Sequence, residues 1–324
     1  MSYIQQASNA FLTIQVSISK WSGVSQLKQA ASKAASAAGA SEANTRMYFN
    51  MLGQHHSDLK QVNAMYSAVR TYLYANTLPF SQAEGEQQQR GDRLIAVSRV
   101  PDVVHQLGVL VDAANSAADS FVADYERMVA ASIANDVGEF KSEINYPTAD
   151  QVRSKFAARI SAPQTINVAD MSRFGSLPVA MANEINASNN RKLEAQLQCA
   201  KDAAIKEAED LAERVANQMR SGKRFHDSLK SEATRVASLL RDMVQGYDND
   251  PRLLAMADLI DEQIGTIDID RIREHEHARH APRRAAETVS KGIKDMRKAG
   301  ATNTQPVSNN DPVVGGGFFA DLLS

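Results

Sequence analysis

The residues with the clearest chemical potential form a histidine-rich stretch near the C-terminus, from Glu274 to His280. On a helix, Glu274 and His277 make the Glu-x-x-His step that di-iron bundles use twice, together with two further glutamates. Only one such step occurs in this chain, and the arginines beside it repel a divalent cation. We therefore expect a solvated or polyanion-facing helix here and neither a metal nor another cofactor.

The same part of the chain is strongly basic. Residues 271–298 carry nine Lys or Arg against four Asp or Glu, a local charge of +5, so the rest of the chain carries −7. The candidate polyanion-binding residues are Arg271, Arg273, Arg279, Arg283, Arg284, Lys291, Lys294, Arg297 and Lys298. Clustered cations bind phosphates, but the segment lacks the interleaved aromatic residues that stack single-stranded bases. A solvated charged face is the alternative interpretation.

The third candidate is an apolar motif at residues 318–323, which follows three glycines. Its four large apolar residues are Phe318, Phe319, Leu322 and Leu323. They would share one side of a helix, as in a helix that docks into a groove. Exposed apolar clusters often mark partner-binding surfaces. Either the motif binds a partner or another subunit, or it folds back on its own domain.

Nothing else in the sequence specifies a reaction. Phosphate-binding loops of the Walker or dinucleotide type do not occur, and the abundant Ser and Asp do not identify a catalytic triad. The lone cysteine, Cys199, excludes an internal disulfide and a cysteine-built metal site. For His55 and His56 we expect a surface or packing role. We therefore predict a protein that is not an enzyme.

Composition predicts a mainly α protein. Hydrophobic residues make up 43% of the chain and aromatic residues only 6%, a mixture typical of long helices packed through small side chains. The N-terminus has no signal-peptide pattern and no apolar run is long enough to span a membrane. We expect a cytoplasmic location without membrane contact.

The N-terminal region, residues 1–160, combines helices with short strands. Apolar residues alternate with polar ones from Leu12 to Ile18, which indicates a half-buried strand. Residues 94–97 and 165–168 are two more strand candidates, and the three could pair into a small sheet. Helices are predicted over residues 24–38 and 43–76, with Gly39 between them.

A longer helical pattern runs from Pro101 to about Glu143 and should contain a break. Thr148 and Gln151 then form a capping-box signature that opens a helix to Arg159. Residues 161–178 are interrupted by Pro163, Gly175 and Pro178 and predict an irregular connector. Residues 81–91 predict a loop.

Residues 179–270 predict a coiled-coil-like, antiparallel helical hairpin. Its seam is Leu193, Leu197, Ala200, Ala204, Ala208, Leu211, Val215 and Met219, facing Leu229, Ala233, Val236, Leu240 and Met243. Asp250 and Pro251 then cap and open another helix. The basic segment, residues 271–299, should be helical with an interruption at Pro282. Residues 300–324 predict a flexible linker and the apolar motif.

Several short motifs occur in a recognisable order. They are Ile18-Ser19-Lys20-Trp21-Ser22-Gly23, Ala96-Val97-Ser98-Arg99-Val100-Pro101, Tyr146-Pro147-Thr148-Ala149-Asp150-Gln151-Val152-Arg153-Ser154-Lys155-Phe156, Phe225-His226-Asp227-Ser228-Leu229 and Asp250-Pro251-Arg252-Leu253. Over residues 10–265 the chain resembles a family of uncharacterised phage and prophage helical proteins. These are often encoded beside a MoxR-type AAA+ ATPase and a von Willebrand A protein. The resemblance implies a phage protein, acting in the infected bacterial cell, with an AAA+ ATPase as a possible partner.

Three functions remain open from the sequence. The first is a non-enzymatic interaction or assembly protein that oligomerises or docks through its hairpin and terminal motif. The second is a nucleic-acid-binding protein of phage DNA metabolism that uses the basic segment. The third is a structural component of the virion.

Overall fold

The structure is a computed structural model that describes residues 3–80, 91–135, 143–166, 179–220, 228–268, 272 and 279–301. It is mainly α with a small antiparallel β element, which confirms the predicted fold class. Contacts group the chain into two compact units. Unit 1 contains Met1–Ala204 and Ser238–Leu253, and unit 2 contains Ile205–Ala237 and Leu254–Ser324.

The described strands all lie before Ile166, whereas the described helices extend from Tyr3 to Ala301. The helices are α1 (Tyr3–Ala10), α2 (Lys28–Ala38), α3 (His56–Asn76), α4 (Val100–Ala123), α5 (Tyr125–Asn135), α6 (Ala149–Arg153), α7 (Val179–Arg220), α8 (Ser228–Gly246), α9 (Pro251–Gln263) and α10 (His280–Ala301). The strands are β1 (Phe11–Ile14), β2 (Val16–Ser19), β3 (Val24–Gln26), β4 (Tyr48–Asn50), β5 (Leu78–Pro79), β6 (Arg93–Ala96), β7 (Ala157–Ile160) and β8 (Gln164–Thr165).

The strands predicted near Leu12, Leu94 and Thr165 do pair in unit 1. They lie in an antiparallel sheet with the order β5-β6-β1-β8. Leu12 faces Ile95 on one side and Thr165 on the other. The alternating segment is split at Gln15, because β2 leaves this sheet and pairs with β7.

The helix predictions are wrong for residues 24–26 and 45–52, whereas Glu42–Asn44 and Gly53–His55 form short 3₁₀ helices. Residues 24–26 and 48–50 form the antiparallel strands β3 and β4. The pair is extended by the Leu27 amide, which donates to the Met47 carbonyl at 3.0 Å, and by the Met51 amide, which donates to the Gly23 carbonyl at 2.8 Å. Gly23 has a φ of 65°, and a Cβ there would overlap the Leu59 side chain, so only glycine fits this turn.

Other predicted boundaries have mixed outcomes. Gly39 does end α2, with a φ of 62°, and the long helix does break, at Asp124 between α4 and α5. The capping box of Thr148 and Gln151 is confirmed. The helix that it opens ends at Arg153, not at Arg159, because residues 157–160 pair with β2 as strand β7.

The few aromatic residues concentrate in the core of unit 1. Trp21 meets Tyr125 edge-on with ring centroids 5.6 Å apart, and Tyr66 stacks on Phe156 at 5.7 Å. Both phenol groups have partners, since Tyr66 donates to Asn115 Oδ1 at 2.8 Å and Tyr125 to the Pro147 carbonyl at 3.0 Å. Burial, with a smaller contribution from Tyr146, raises the pKa of Tyr125 to about 12.

The predicted apolar stripes are buried on both α7 and α8. All eight seam residues of α7 and all five of α8 are at most 6% exposed. On α7 the stripe includes alanine at every fourth position, at Ala200, Ala204, Ala208, Ala212 and Ala216. Small side chains at this spacing let another helix approach closely. Coiled-coil packing of these stripes stays a prediction.

The C-terminal predictions fall only partly on described residues. Pro282 does not interrupt the basic helix, because α10 begins at His280 and includes Pro282 in its first turn, where a proline loses no hydrogen bond. Residues 81–90, 167–178, 273–278 and 302–324 lie outside the described residues. The predicted loop, most of the connector, the linker and the apolar motif therefore remain predictions.

A glycine at the end of α8 tests the packing of unit 1. A Cβ at Gly246 would overlap the Phe11 ring and lie 2.9 Å from the Ala10 Cβ. Phe11 is only 1% exposed, so we expect Gly246→Ala to lower the free energy of unfolding by about 1–3 kcal/mol through overpacking. Thermal denaturation followed by circular dichroism measures the change.

Gly108 in α4 provides the matched control, because a Cβ at this position would have no atom within 4 Å. Replacing an unconstrained helical glycine by alanine is stabilising by up to about 1 kcal/mol. We expect Gly108→Ala to leave the melting temperature unchanged or raise it. Equal effects of the two substitutions would contradict the close approach at Gly246.

Candidate interaction cleft

In unit 2, the second half of α7 packs against the first half of α8. Arg214 Nη2 lies 2.7 Å from Glu232 Oε1, and Arg235 Nη2 lies 3.1 Å from Glu207 Oε1. Residue numbers fall along α7 as they rise along α8, so the two helices are antiparallel, as the hairpin prediction requires.

Helix α10 packs against α7 on the same unit. Its buried face consists of Ala286, Val289 and Ile293, spaced by three and four residues. Beside this face, Lys294 pairs with Glu213, and Arg297 Nη1 lies 2.9 Å from Glu209 Oε2. The order of these pairs makes α10 antiparallel to α7 as well.

An open cleft of about 570 Å³ lies between α7 and α10. Its charged lining consists of Lys291, Lys294 and Lys298 together with Glu213, Glu287 and Asp295. Asn217 and Ser290 add neutral polar groups. Hydrogen bonding to Glu213, followed by the attraction of its charge, raises the pKa of Lys294. Three positive and three negative groups therefore balance within one cleft, and a polyanion would have to compete with the carboxylates.

The structure brings only some of the predicted basic residues together. Lys291, Lys294 and Lys298 line the cleft. Arg283 pairs with Glu287 one turn along α10, at 3.0 Å. Arg284 is exposed on the same helix. Arg279 is partly buried, whereas Arg271, Arg273 and the motif residues Phe318, Phe319, Leu322 and Leu323 lie outside the described residues.

The other sequence candidates that the structure describes are Cys199, His55 and His56. Cys199 is half-buried. His55 Nδ1 lies 3.4 Å from Asp58 Oδ2, and burial, with a smaller effect from Lys60, lowers the pKa of His56. Among the described residues, no three His, Cys, Asp or Glu side chains are grouped so that they could hold a metal ion. Glu274 and His277 lie outside this part of the chain.

Sequence reasoning missed a charge cluster in unit 1 that surrounds the buried Lys201 and Asp250. Lys201 Nζ lies 3.0 Å from Asp250 Oδ2 and 2.5 Å from Asp248 Oδ2. Arg252 Nη2 lies 2.6 Å from Asp250 Oδ2. The Arg252 amide also donates to Asp250 Oδ1 at 3.0 Å, which confirms Asp250 as the cap of α9. The cluster ties α7 to the turn between α8 and α9.

The cluster determines how its members titrate. The hydrogen bond from the Arg252 side chain is the largest influence on Asp250 and, with the contacts to Lys201, outweighs burial and holds the pKa of Asp250 well below its usual range. Burial opposes the charge of Lys201, but hydrogen bonds to Asp248 and Asp250 outweigh it and raise the pKa of Lys201. Asp250 and Lys201 are therefore both charged at neutral pH, which fits a structural role.

The lowered pKa of Asp250 predicts a specific acid sensitivity. A depressed carboxyl pKa stabilises the fold above the unfolded value, near 4, and this contribution is lost as the pH falls toward the folded value. We expect Asp250→Asn to lower the free energy of unfolding at pH 7 by roughly 1–3 kcal/mol. The substitution should also flatten the loss of stability below about pH 4.

Denaturant unfolding of both proteins between pH 2 and 7 measures this effect, and Asp112→Asn on α4 serves as a carboxylate control. Asp112 is exposed, so its substitution should preserve the wild-type pH dependence. The same pH dependence for wild type and Asp250→Asn would contradict the assigned role of the cluster.

Comparison with known proteins found no matching family model, no matching curated protein and no matching solved structure. The resemblance to the phage family therefore stays a prediction. Among the described helices, none combines the length and the apolar character needed to cross a membrane.

Proposed function

We propose that this protein is a non-enzymatic helical interaction and assembly protein that docks through its C-terminal motif. The observation that carries the proposal is the anchoring of α10, the helix that precedes the motif in the chain. Its apolar face is buried and its last turns are held on α7 by the pairs of Lys294 and Arg297 with Glu213 and Glu209. The basic segment thus acts first as an internal support for the chain that leads to the motif.

The helical hairpin supplies the rigid part of this interaction protein. Ion pairs and buried stripes fix α7 against α8 in unit 2. An anchored helix followed by a short apolar motif suits docking in which the motif, not the body, contacts the partner's groove. The four large side chains Phe318, Phe319, Leu322 and Leu323 are the proposed contact residues.

The resemblance to the phage family makes the partner hypothesis more specific. An AAA+ ATPase encoded in the same phage is the first partner to test, acting in the infected bacterial cell. A second copy of this chain is the other partner of the proposal, because assembly through the same motif would produce an oligomer.

Removal of the motif tests the proposal directly. We expect deletion of residues 315–324, or alanine at the four apolar positions, to reduce capture of the partner at least tenfold or to lower the oligomeric mass. Capture from infected cells with mass spectrometry and light scattering of the purified chain give the two measurements.

The matched control changes neighbouring polar residues, Asn309→Ala and Asn310→Ala, and should leave both measurements unchanged. If the deletion leaves every captured protein and the oligomeric mass as in the wild type, the motif has no docking role and the proposal fails.

Nucleic-acid binding is a second candidate function, favoured by one observation. Arg284 and Lys291 are both exposed on α10, two turns apart, and neither forms an ion pair with a described residue. A phosphate backbone could contact them without displacing the carboxylates that hold Lys294 and Arg297.

Salt-dependent gel shifts test this candidate. If α10 binds phosphates through these residues, Arg284→Gln with Lys291→Gln should weaken binding and reduce the slope of log K against log salt by about 1.8 for duplex DNA. Lys206→Gln, at an exposed position on α7, is the control and should keep the wild-type slope. No binding to single- or double-stranded DNA or RNA at low salt would eliminate this function.

A further inference from the structure

The two-stranded sheet β3–β4 has an outward face on which an exposed tyrosine lies beside exposed valine and amide side chains. Val24 is paired with Asn50 and Gln26 with Tyr48, and all four are exposed. The intervening pair, Ser25 and Phe49, is half-buried on the opposite face, where Phe49 packs on the aromatic core. Side chains alternate along a strand, so the four exposed residues share one face.

Tyr48 gives this face an apolar anchor. Tyr48 is 61% exposed, and Val24 on the same face is 36% exposed. Tyrosine is enriched among the residues that dominate binding energies, because it buries a large ring and keeps a polar hydroxyl. Gln26 and Asn50 add amide groups that can donate and accept hydrogen bonds.

Two cations lie at the end of the face where Gln26 pairs with Tyr48. Lys28 and Arg46 each lie two residues from that pair, and both are exposed. Neither forms an ion pair with any residue that the structure describes. The nearby carboxylates accept hydrogen bonds from neutral donors: Glu42 from Ser32 Oγ at 2.6 Å and Glu143 from the Gln29 amide at 2.9 Å. Lys28 and Arg46 are therefore exposed cations without an ion pair among the described residues, unlike Lys294 on α10.

The chain itself contains a segment of matching chemistry. Residues 302–324 contain two acidic residues, Asp311 and Asp321, and no Lys or Arg. Asp321 stands between the two apolar pairs of the terminal motif. Phenylalanine rings can pack on Tyr48, leucines can cover Val24, and the aspartate can pair with Arg46 or Lys28.

We propose that the outward face of β3–β4 is the receptor for the terminal motif, Phe318–Leu323, of a second copy of this chain. The proposal rests on the proposed function, because it names the surface on which the docking motif binds. It makes the assembly a contact between identical chains in which each motif occupies the face of another copy.

The test uses a labelled peptide of residues 315–324 and the full chain with alanine at the four apolar motif positions, so that its own motif cannot compete. Fluorescence anisotropy measures the affinity. We expect saturable binding that weakens about tenfold or more with Tyr48→Ala, and that weakens with Arg46→Glu. A peptide with Asp321→Lys should bind the Arg46→Glu chain better than it binds the chain with Arg46.

The control is Val109→Ala, which removes another exposed apolar side chain, 48% exposed on α4, and should leave the affinity unchanged. Melting temperatures of all variants establish that they fold, and the charge exchange between Arg46 and Asp321 gives a gain of binding that misfolding cannot produce.

Three results would overturn the inference. The first is no peptide binding at all. The second is equal peptide affinity for the chains with Tyr48 and with Tyr48→Ala, which would place the receptor elsewhere. The proposed docking function would still stand if deletion of the motif abolishes capture or assembly. The third is binding of a single-stranded oligonucleotide, but not of the peptide, to the same tyrosine, which would identify the face as a nucleic-acid surface.

Discussion

The continuous burial of one stripe of α7 is the constraint on which the helical part of the structure depends. A helix of 42 residues with a polar composition depends mainly on packing for its stability, and here the buried stripe extends from Leu193 to Met219. Alanine at every fourth position, from Ala200 to Ala216, places small buried side chains along that stripe. Small side chains at this spacing allow another helix to approach closely, which suits a helical core in a chain with 6% aromatic residues.

The stripe also explains which parts of the fold could be predicted from the sequence. Every residue of the predicted seam is buried, because the spacing of apolar residues along one helix is local information. The pairing of the strands at Leu12, Leu94 and Thr165 was also foreseen, since each shows its own apolar pattern between turn residues. The predictions failed where a short element is defined only by a distant partner. Residues 48–50 are a strand because they pair with residues 24–26, and their own spacing of apolar residues also suits a helix.

Charge shows a similar limit of local sequence information. A count over residues 271–298 gives a strongly basic segment, but the carboxylates that pair with Lys294 and Arg297 lie more than 80 positions earlier, on α7. The buried cluster of Lys201 with Asp248 and Asp250 shows the same limit, because its members are separated by 47 and 49 residues. The sequence of a segment therefore identifies its cations, whereas the fold determines which of them pair with carboxylates.

The two surfaces that could bind partners differ in whether their cations already form ion pairs. On α10, ion pairs within the same chain hold Lys294 and Arg297 against carboxylates of α7. These cations therefore stabilise the fold in the absence of any ligand. At β3–β4, Lys28 and Arg46 border an exposed tyrosine, and neither forms an ion pair with a described residue. Binding an acidic, apolar segment there would bury Tyr48 without the need to break an existing ion pair. The same segment at the α10 cleft would compete with Glu213 for Lys294. The sheet β3–β4, whose residues the sequence predicted to be helical, is thus the surface where docking has the smaller electrostatic cost.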